Sequence, residues 1–266
     1  MMHRLFPYYG AKHSCAHMYP APRFGHIVEP FAGSAAYSHL WGADNDVTLI
    51  EKNPRVASIW EWLISVSEDE LMALPGVDTF EHIDETGWPE GPAREFLRQW
   101  CADAASGVTS RPTSMTKQRA DKGLFGFFEH SKSRISDNLR HIRHWRVENC
   151  DYRKAPDCAA TWFIDPPYTR GGEHYPGTGC NTRALDFNAL GEWCKARSGD
   201  VIVCEGDGAD WLPFSVLKMC PPKPASTARV RGTVRRAEMV WYRRDGATIE
   251  SWNVGSFRAP GQETLF

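Results

Sequence analysis

No apolar run in this 266-residue chain approaches the length needed to span a membrane. The opening residues, Met1-Met2-His3-Arg4-Leu5-Phe6-Pro7, lack the apolar centre of a secretion signal, and a cytoplasmic protein is expected. None of the eight cysteines stands in a C-x-x-C pair, which argues against a zinc site. A chain of this size does not need disulfide staples, so reduced and mostly buried thiols are expected. The dinucleotide fingerprint G-x-G-x-x-G is also missing, which counts against a nicotinamide cofactor. There is no internal repeat and no low-complexity tail. The net charge of −2 gives nucleic acid no uniformly basic surface, but the charge is unevenly spread. Eleven acids face only Arg94 and Arg98 between Glu61 and Asp103; nine Lys/Arg face three acids between Arg111 and Arg146. The second segment is either a phosphate-binding face or a solvated helix surface.

What the chain does have is concentrated in Thr161-Trp162-Phe163-Ile164-Asp165-Pro166-Pro167-Tyr168. A short aromatic and β-branched run, punctuated on both sides, predicts a buried strand. A residue before proline is pushed out of the helical region, which puts Asp165 at the extended C-terminal edge of that strand. Pro166 and Pro167 restrict φ and remove two N–H donors, leaving a stiff edge of acceptors. That edge suits an aromatic ring bearing an amino group. The Asp165 carboxylate and the Pro166 carbonyl can take both N–H bonds and aim the nitrogen lone pair at an electrophile. Tyr168 can stack on the ring, an interaction worth about 1–3 kcal/mol per base. An ordinary strand-to-turn ending, where Asp-Pro is common, is the alternative.

Other segments predict an α/β chain with a nucleotide-type crevice. His26 to Tyr37 reads as strand, tight turn and helix: Gly33 permits a ligand to approach the backbone, Ser34 is expected to cap the helix, and Ala35 to start it. Val47 to Ile50 is a second buried strand, ending in Glu51 about twenty residues beyond the turn. An acid there can accept both ribose hydroxyls of an adenosyl group, or serve only as a helix cap. A helix is expected from Arg55 to Val66, with Ile59, Trp60, Leu63 and Ile64 buried, and another from Pro92 to Ala105. Residues 106–119 are rich in hydroxyls and cations. Residues 122–128 alternate glycine with aromatics, which form either the core of a small subdomain or wedges into nucleic acid. Ser133 to Trp145 is expected as a helix, with Arg140, Arg143 and Arg146 toward phosphate. Val147 to Tyr152 follows as a short strand, with Asp151 placed either to accept from an adenine amino group or in a surface turn. The glycine-bearing stretch Thr169 to Arg183 is expected to be a mobile lid. Then come a helix from Asp186 to Ala196, a strand from Asp200 to Glu205, and closing strands within Val230–Arg244 and Thr248–Val254.

The tetrad Asp165-Pro166-Pro167-Tyr168 resembles the catalytic motif of S-adenosylmethionine-dependent amino-methyltransferases, in the form usual for adenine N6. Phe6-Pro7-Tyr8-Tyr9-Gly10-Ala11-Lys12 is similar to an N-terminal aromatic-x-Gly-Gly-Lys motif, with Ala11 in place of the second glycine. Glu29-Pro30-Phe31-Ala32-Gly33-Ser34 is similar to a cofactor motif, with Ala35 where a second glycine is often seen. Arg229 to Tyr242 is similar to a closing basic-then-Glu-then-apolar segment. From Phe6 to Tyr242 the order resembles that of the Dam-like, α-type DNA adenine-N6 methyltransferases.

The resemblance implies a Rossmann-like α/β fold with a seven-stranded mixed sheet. Residues 1–66 and 135–258 would form a discontinuous catalytic domain, 67–134 an inserted, largely helical target-recognition subdomain, and 259–266 a tail. It implies S-adenosyl-L-methionine, held by Tyr8, Lys12, Glu29, Pro30, Phe31, Ala32, Gly33, Ser34, Glu51, Asp151, Tyr152 and Asp165. Tyr8 and Lys12 would stand at its sulfonium and carboxylate end. Catalysis would fall to Asp165, Pro166, Pro167 and Tyr168. Duplex DNA would meet Arg111, Lys117, Arg119, Lys122 and Arg140, with the target adenine flipped out. No metal or membrane partner is implied, and a monomer or weak dimer is expected. The same acceptor edge also serves RNA adenine or cytosine N4, and a DNA-binding module with a decayed core is the non-enzymatic alternative.

Overall fold

The computed structural model describes residues 4–76, 89–102, 111, 129–170, 172, 180–219 and 237–249. Eight strands form one mixed, mostly parallel sheet: His26–Glu29 (β1), Asp46–Ile50 (β2), Arg146–Glu148 (β3), Ala160–Ile164 (β4), Gly199–Gly206 (β5), Ser215–Met219 (β6), Ala237–Arg244 (β7) and Ala247–Ile249 (β8). Their order is β3-β2-β1-β4-β5-β7-β6, with β8 paired to β7. The first five of these are mutually parallel. Strand β7 runs antiparallel to both β5 and β6. Asp245 and Gly246 join β7 to β8 with φ of 52° and 84°, the left-handed pair that a two-residue hairpin requires.

Strand β4 is buried along its whole length, as expected for a parallel strand covered on both faces. Alternate residues serve opposite layers. Ile27, Phe163 and Ile202 join one apolar cluster; Val28, Trp162 and Val203 join the other. Phe163 stacks on Tyr37 at 4.4 Å and 7°, tying helix Ala36–Trp41 (α1) to the sheet. Burying such a side chain contributes about 1.5–3 kcal/mol. Helix Pro54–Ser65 (α2) starts as its sequence dictates, with Asn53 accepting from the Arg55 N–H and Pro54 at the first turn. Helix Glu68–Met72 (α3) carries a Ser67–Glu70 capping box.

Helix Pro92–Ala102 (α4) comes from the stretch expected to form a separate subdomain. Its Phe96, Leu97, Trp100 and Cys101 nevertheless belong to the same core as β1 and α2. The described part of 67–134 therefore continues the main core. Helix Glu129–Leu139 (α5) ends short of Trp145, because i→i+3 bonds to Asn138, Leu139 and Ile142 tighten the chain into a turn that delivers β3. Strand β6 was not anticipated: Ser215–Met219 is a short sheet-edge strand that leaves Val216 56% exposed. Helix Phe187–Lys195 (α6) is capped by Asp186, within the expected bounds. Among the described residues, no helix is long and apolar enough to cross a membrane.

Candidate active site

The strand order reverses between β1 and β4: the chain proceeds from β1 to β2 and β3 on one side, and from β4 to β5 on the other. Ligands of open α/β sheets bind outside the carboxyl ends of the strands at such a switch point. Here that point opens into a cleft of about 770 Å³, its mouth included. It is bordered by the turn after β1, by Glu51 after β2 and by Asp165 after β4. Every residue expected around a cofactor, from Tyr8 to Asp165, borders this one cleft.

The turn after β1 is wound tightly. Ala32 N–H donates to Ile50 O at 3.1 Å and Ala35 N–H to Ala32 O at 2.6 Å. Gly33 has φ +48°, and a Cβ there would stand 2.8 Å from the Tyr8 ring. Trp60 Nε1 donates to the Gly33 carbonyl at 2.8 Å, pinning the turn to α2. Two expectations change here. Helix α1 begins at Ala36, and no side chain at its N-cap position makes a capping bond, so Ser34 does not cap it. Ala35 does not start the helix but sits at φ 47°, a left-handed conformation that costs a non-glycine residue about 1–2 kcal/mol. The capping acceptor comes from the strand instead: Glu29 Oε1 takes the Ser38 N–H at 2.6 Å. Burial pushes the Glu29 carboxyl up to about 8.

Glu51 is buried at the other wall, and burial raises its pKa. Its oxygens accept from Gly33 N–H at 3.0 Å and Asn53 N–H at 2.8 Å. The Lys52 backbone N–H bonds the same carboxyl. Asp151 lies nearby as the cap of a short 3-10 turn and is held below the usual carboxylate range, to about 2, first by its bond to Arg153. Lys52 Nζ stands 3.1 Å from its other oxygen. Tyr152 stacks against Phe31 at 5.3 Å, giving the cleft an aromatic wall.

At the β4 end, Lys12 enters from the N-terminal loop, 5% exposed, anchored to Gly10 O at 2.9 Å. Its ammonium lies 2.7 and 2.8 Å from the two Asp165 oxygens and 4.6 Å from the centre of the Tyr168 ring. Burial pushes Asp165 up to about 6, while the Lys12 ammonium pulls it down and Glu238 pulls it further up. The Tyr168 hydroxyl donates to Glu238 Oε1 on β7. Its carbonyl accepts from Gly172 N–H at 3.2 Å and Thr182 Oγ at 2.7 Å, so both roots of the loop after the tetrad are tied to the corner. Residues 173–179 of the expected lid lie outside the described residues. Behind the corner, the buried Glu205 at the end of β5 accepts from the N–H groups of Thr169 and Gly206 and from Trp211 Nε1.

Pro167 borders the cleft, whereas the buried Pro166 and the half-buried Tyr168 are not among the residues that line it. Glu238 belongs to the closing segment Arg229 to Tyr242, yet it stands in the corner beside Tyr168 and Lys12. The available signal was its register: Glu238, Val240 and Tyr242 share one strand face, and an acid there is out of pattern. Arg140 is exposed and donates to His141. Arg143 donates to the carbonyls of Leu63, Ile64 and Val66, so it caps the C-terminus of α2 instead of facing a ligand. Arg111 is exposed, and Lys117, Arg119 and Lys122 lie outside the described residues. No group of three or more His, Cys, Asp or Glu among the described residues is placed to hold a metal ion. Comparison with protein-family models and with curated proteins finds no match to this sequence.

Proposed function

We propose that the protein is an S-adenosylmethionine-dependent DNA methyltransferase acting on the N6 amino group of adenine. One observation carries this reading: a single cleft runs from the Gly33 turn and Glu51 to Asp165. The order β3-β2-β1-β4-β5-β7-β6, with β7 antiparallel and β8 added beside it as an eighth strand, is compatible with the Rossmann-like mixed sheet that the resemblance implies.

When bound, S-adenosylmethionine supplies a methyl group activated on a positively charged sulfur. The residues present fit it. Gly33 lines the cleft, and the Glu51 carboxyl borders it as an acceptor for ribose hydroxyls. Phe31 and Tyr152 provide an apolar face for a purine. Asp165 then accepts an N–H of the target amine and stabilises the positive charge that develops on it, for which it must be ionised. It is also the nearest group that can take the departing proton. Tyr168 provides the stacking ring for a base taken out of the duplex, an extrusion that costs a few kcal/mol. Catalysis in this scheme is positioning and charge stabilisation, with no covalent intermediate on the protein.

The test is to incubate the protein with unmethylated genomic DNA or with RNA and methyl-labelled donor, digest to nucleosides, and locate the methyl by mass. N6-methyldeoxyadenosine from DNA is expected. Methyl on cytosine N4, or in RNA alone, would keep the chemistry and replace the acceptor. DNA binding without donor binding would leave only the decayed module.

A further inference from the structure

Glu238 is an acid of the corner that the transfer just described does not use. It stands on the face of β7 that carries Val240 and Tyr242 into the core, where a carboxylate is costly unless partnered. Its partners are specific: Oε1 accepts from Tyr19 at 2.9 Å and also from Tyr168. The same oxygen lies 4.0 Å from Lys12 Nζ, just beyond bonding distance. Opposite it, the register of β6 against β7 shifts between Val216 and Lys218.

Lys12 poses a problem that Glu238 solves. Its ammonium hydrogen-bonds Asp165 Oδ2 at 2.8 Å and stands 2.7 Å from Oδ1, which has no hydrogen-bond partner among the described residues, so a target amine that binds Oδ1 arrives beside a fixed cation. The amine becomes more positive during transfer, so a cation fixed on the same carboxylate opposes the reaction. We propose that Glu238 is a positioning residue for this transfer: it holds the Tyr168 ring by its hydroxyl and takes up the Lys12 ammonium as a target amine comes onto Asp165. The inference rests on the function proposed above. Charged and titratable groups around Asp165 come from every surrounding element: Lys12 and Cys15 from the N-terminal segment, Glu29 from β1, Tyr168 after β4, Cys204 and Glu205 from β5, and Glu238 from β7. Among these, Glu238 and Lys12 act on Asp165 with opposite sign.

The experiment compares wild type, Glu238→Gln and Tyr19→Phe. Three quantities are measured: S-adenosylmethionine affinity by calorimetry, single-turnover methylation of genomic DNA, and titration of the Asp165 carboxyl carbon by NMR, assigned against Asp165→Asn. Glu238→Gln is expected to keep its cofactor affinity, to lose roughly 100-fold in transfer rate as the ring and ammonium shift, and to titrate Asp165 below the wild-type midpoint. Tyr19→Phe removes one donor without changing charge, so its Asp165 midpoint should stay in place and its rate should fall less. A wild-type rate or an unmoved Asp165 midpoint in Glu238→Gln would overturn the inference, as would cofactor affinity falling in step with the rate. Wild type that binds cofactor but methylates no DNA would overturn the proposed function, and this inference with it.

Discussion

The two ends of the cleft hold their carboxylates by different means. At the turn end, Glu29 and Glu51 are fixed by backbone N–H groups of Ser38, Gly33 and Asn53. At the corner, Asp165 is held by the Lys12 ammonium, with Glu238 and two tyrosine hydroxyls behind it. Backbone donors are part of the fold and cannot swing away, which suits acids that must grip the same molecule in the same pose each cycle. A lysine on a four-carbon stem can move, which suits an acid whose partner changes during the reaction. On the proposed function, the turn end is a fixed cradle and the corner a charge network with two settings.

The sharpest break between the two regions should come from Asp165→Ala. It is expected to lower transfer on the order of 1000-fold while leaving cofactor affinity near wild type, since the cradle is untouched. Calorimetry and methyl incorporation, measured on the same preparation, separate these. The converse variant is Gly33→Ala, whose Cβ would stand 2.8 Å from the Tyr8 ring at a φ of +48°. Strain of about 1–2 kcal/mol and the crowded ring should weaken S-adenosylmethionine binding by roughly tenfold, with the single-turnover rate at saturation changed less. The pH profile gives a third test. Asp165 must be ionised and its pKa is near 6, so transfer should rise with pH through about 6. In Lys12→Met the group that pulls this value down is lost, and the acid limb should move to higher pH; a shift to lower pH would contradict the pairing. The smallest effect belongs to Arg143→Ala. It removes donors to the end of α2 and should cost about 1 kcal/mol in chemical denaturation, without changing the salt dependence of DNA binding.

Much of the scaffold is legible because buried parallel strands need no partner to be recognised. Val47–Ile50, Thr161–Ile164 and Val201–Cys204 are short, apolar runs on which both faces are covered, and the chain marks their ends with acids, prolines or glycine. The acids at the ends of β1, β2 and β4 could be picked out as well, since each closes such a run. The details that escaped are those set by tertiary contact. Ala35 is a good helix former by itself, and only the turn between Ala32 and α1 forces it left-handed. Arg143 looks like a surface cation until α2 presents its last carbonyls. Glu238 finds Tyr168 and Tyr19 at separations of 70 and 219 residues, which no local pattern encodes.

A crystal structure with the reaction product S-adenosylhomocysteine bound addresses the central claim most directly. The account predicts the ribose hydroxyls on Glu51, the adenine beside Phe31 and Tyr152, and the sulfur directed toward Asp165. The ligand lying elsewhere, or lying in the cleft with its sulfur turned away from Asp165, would contradict it.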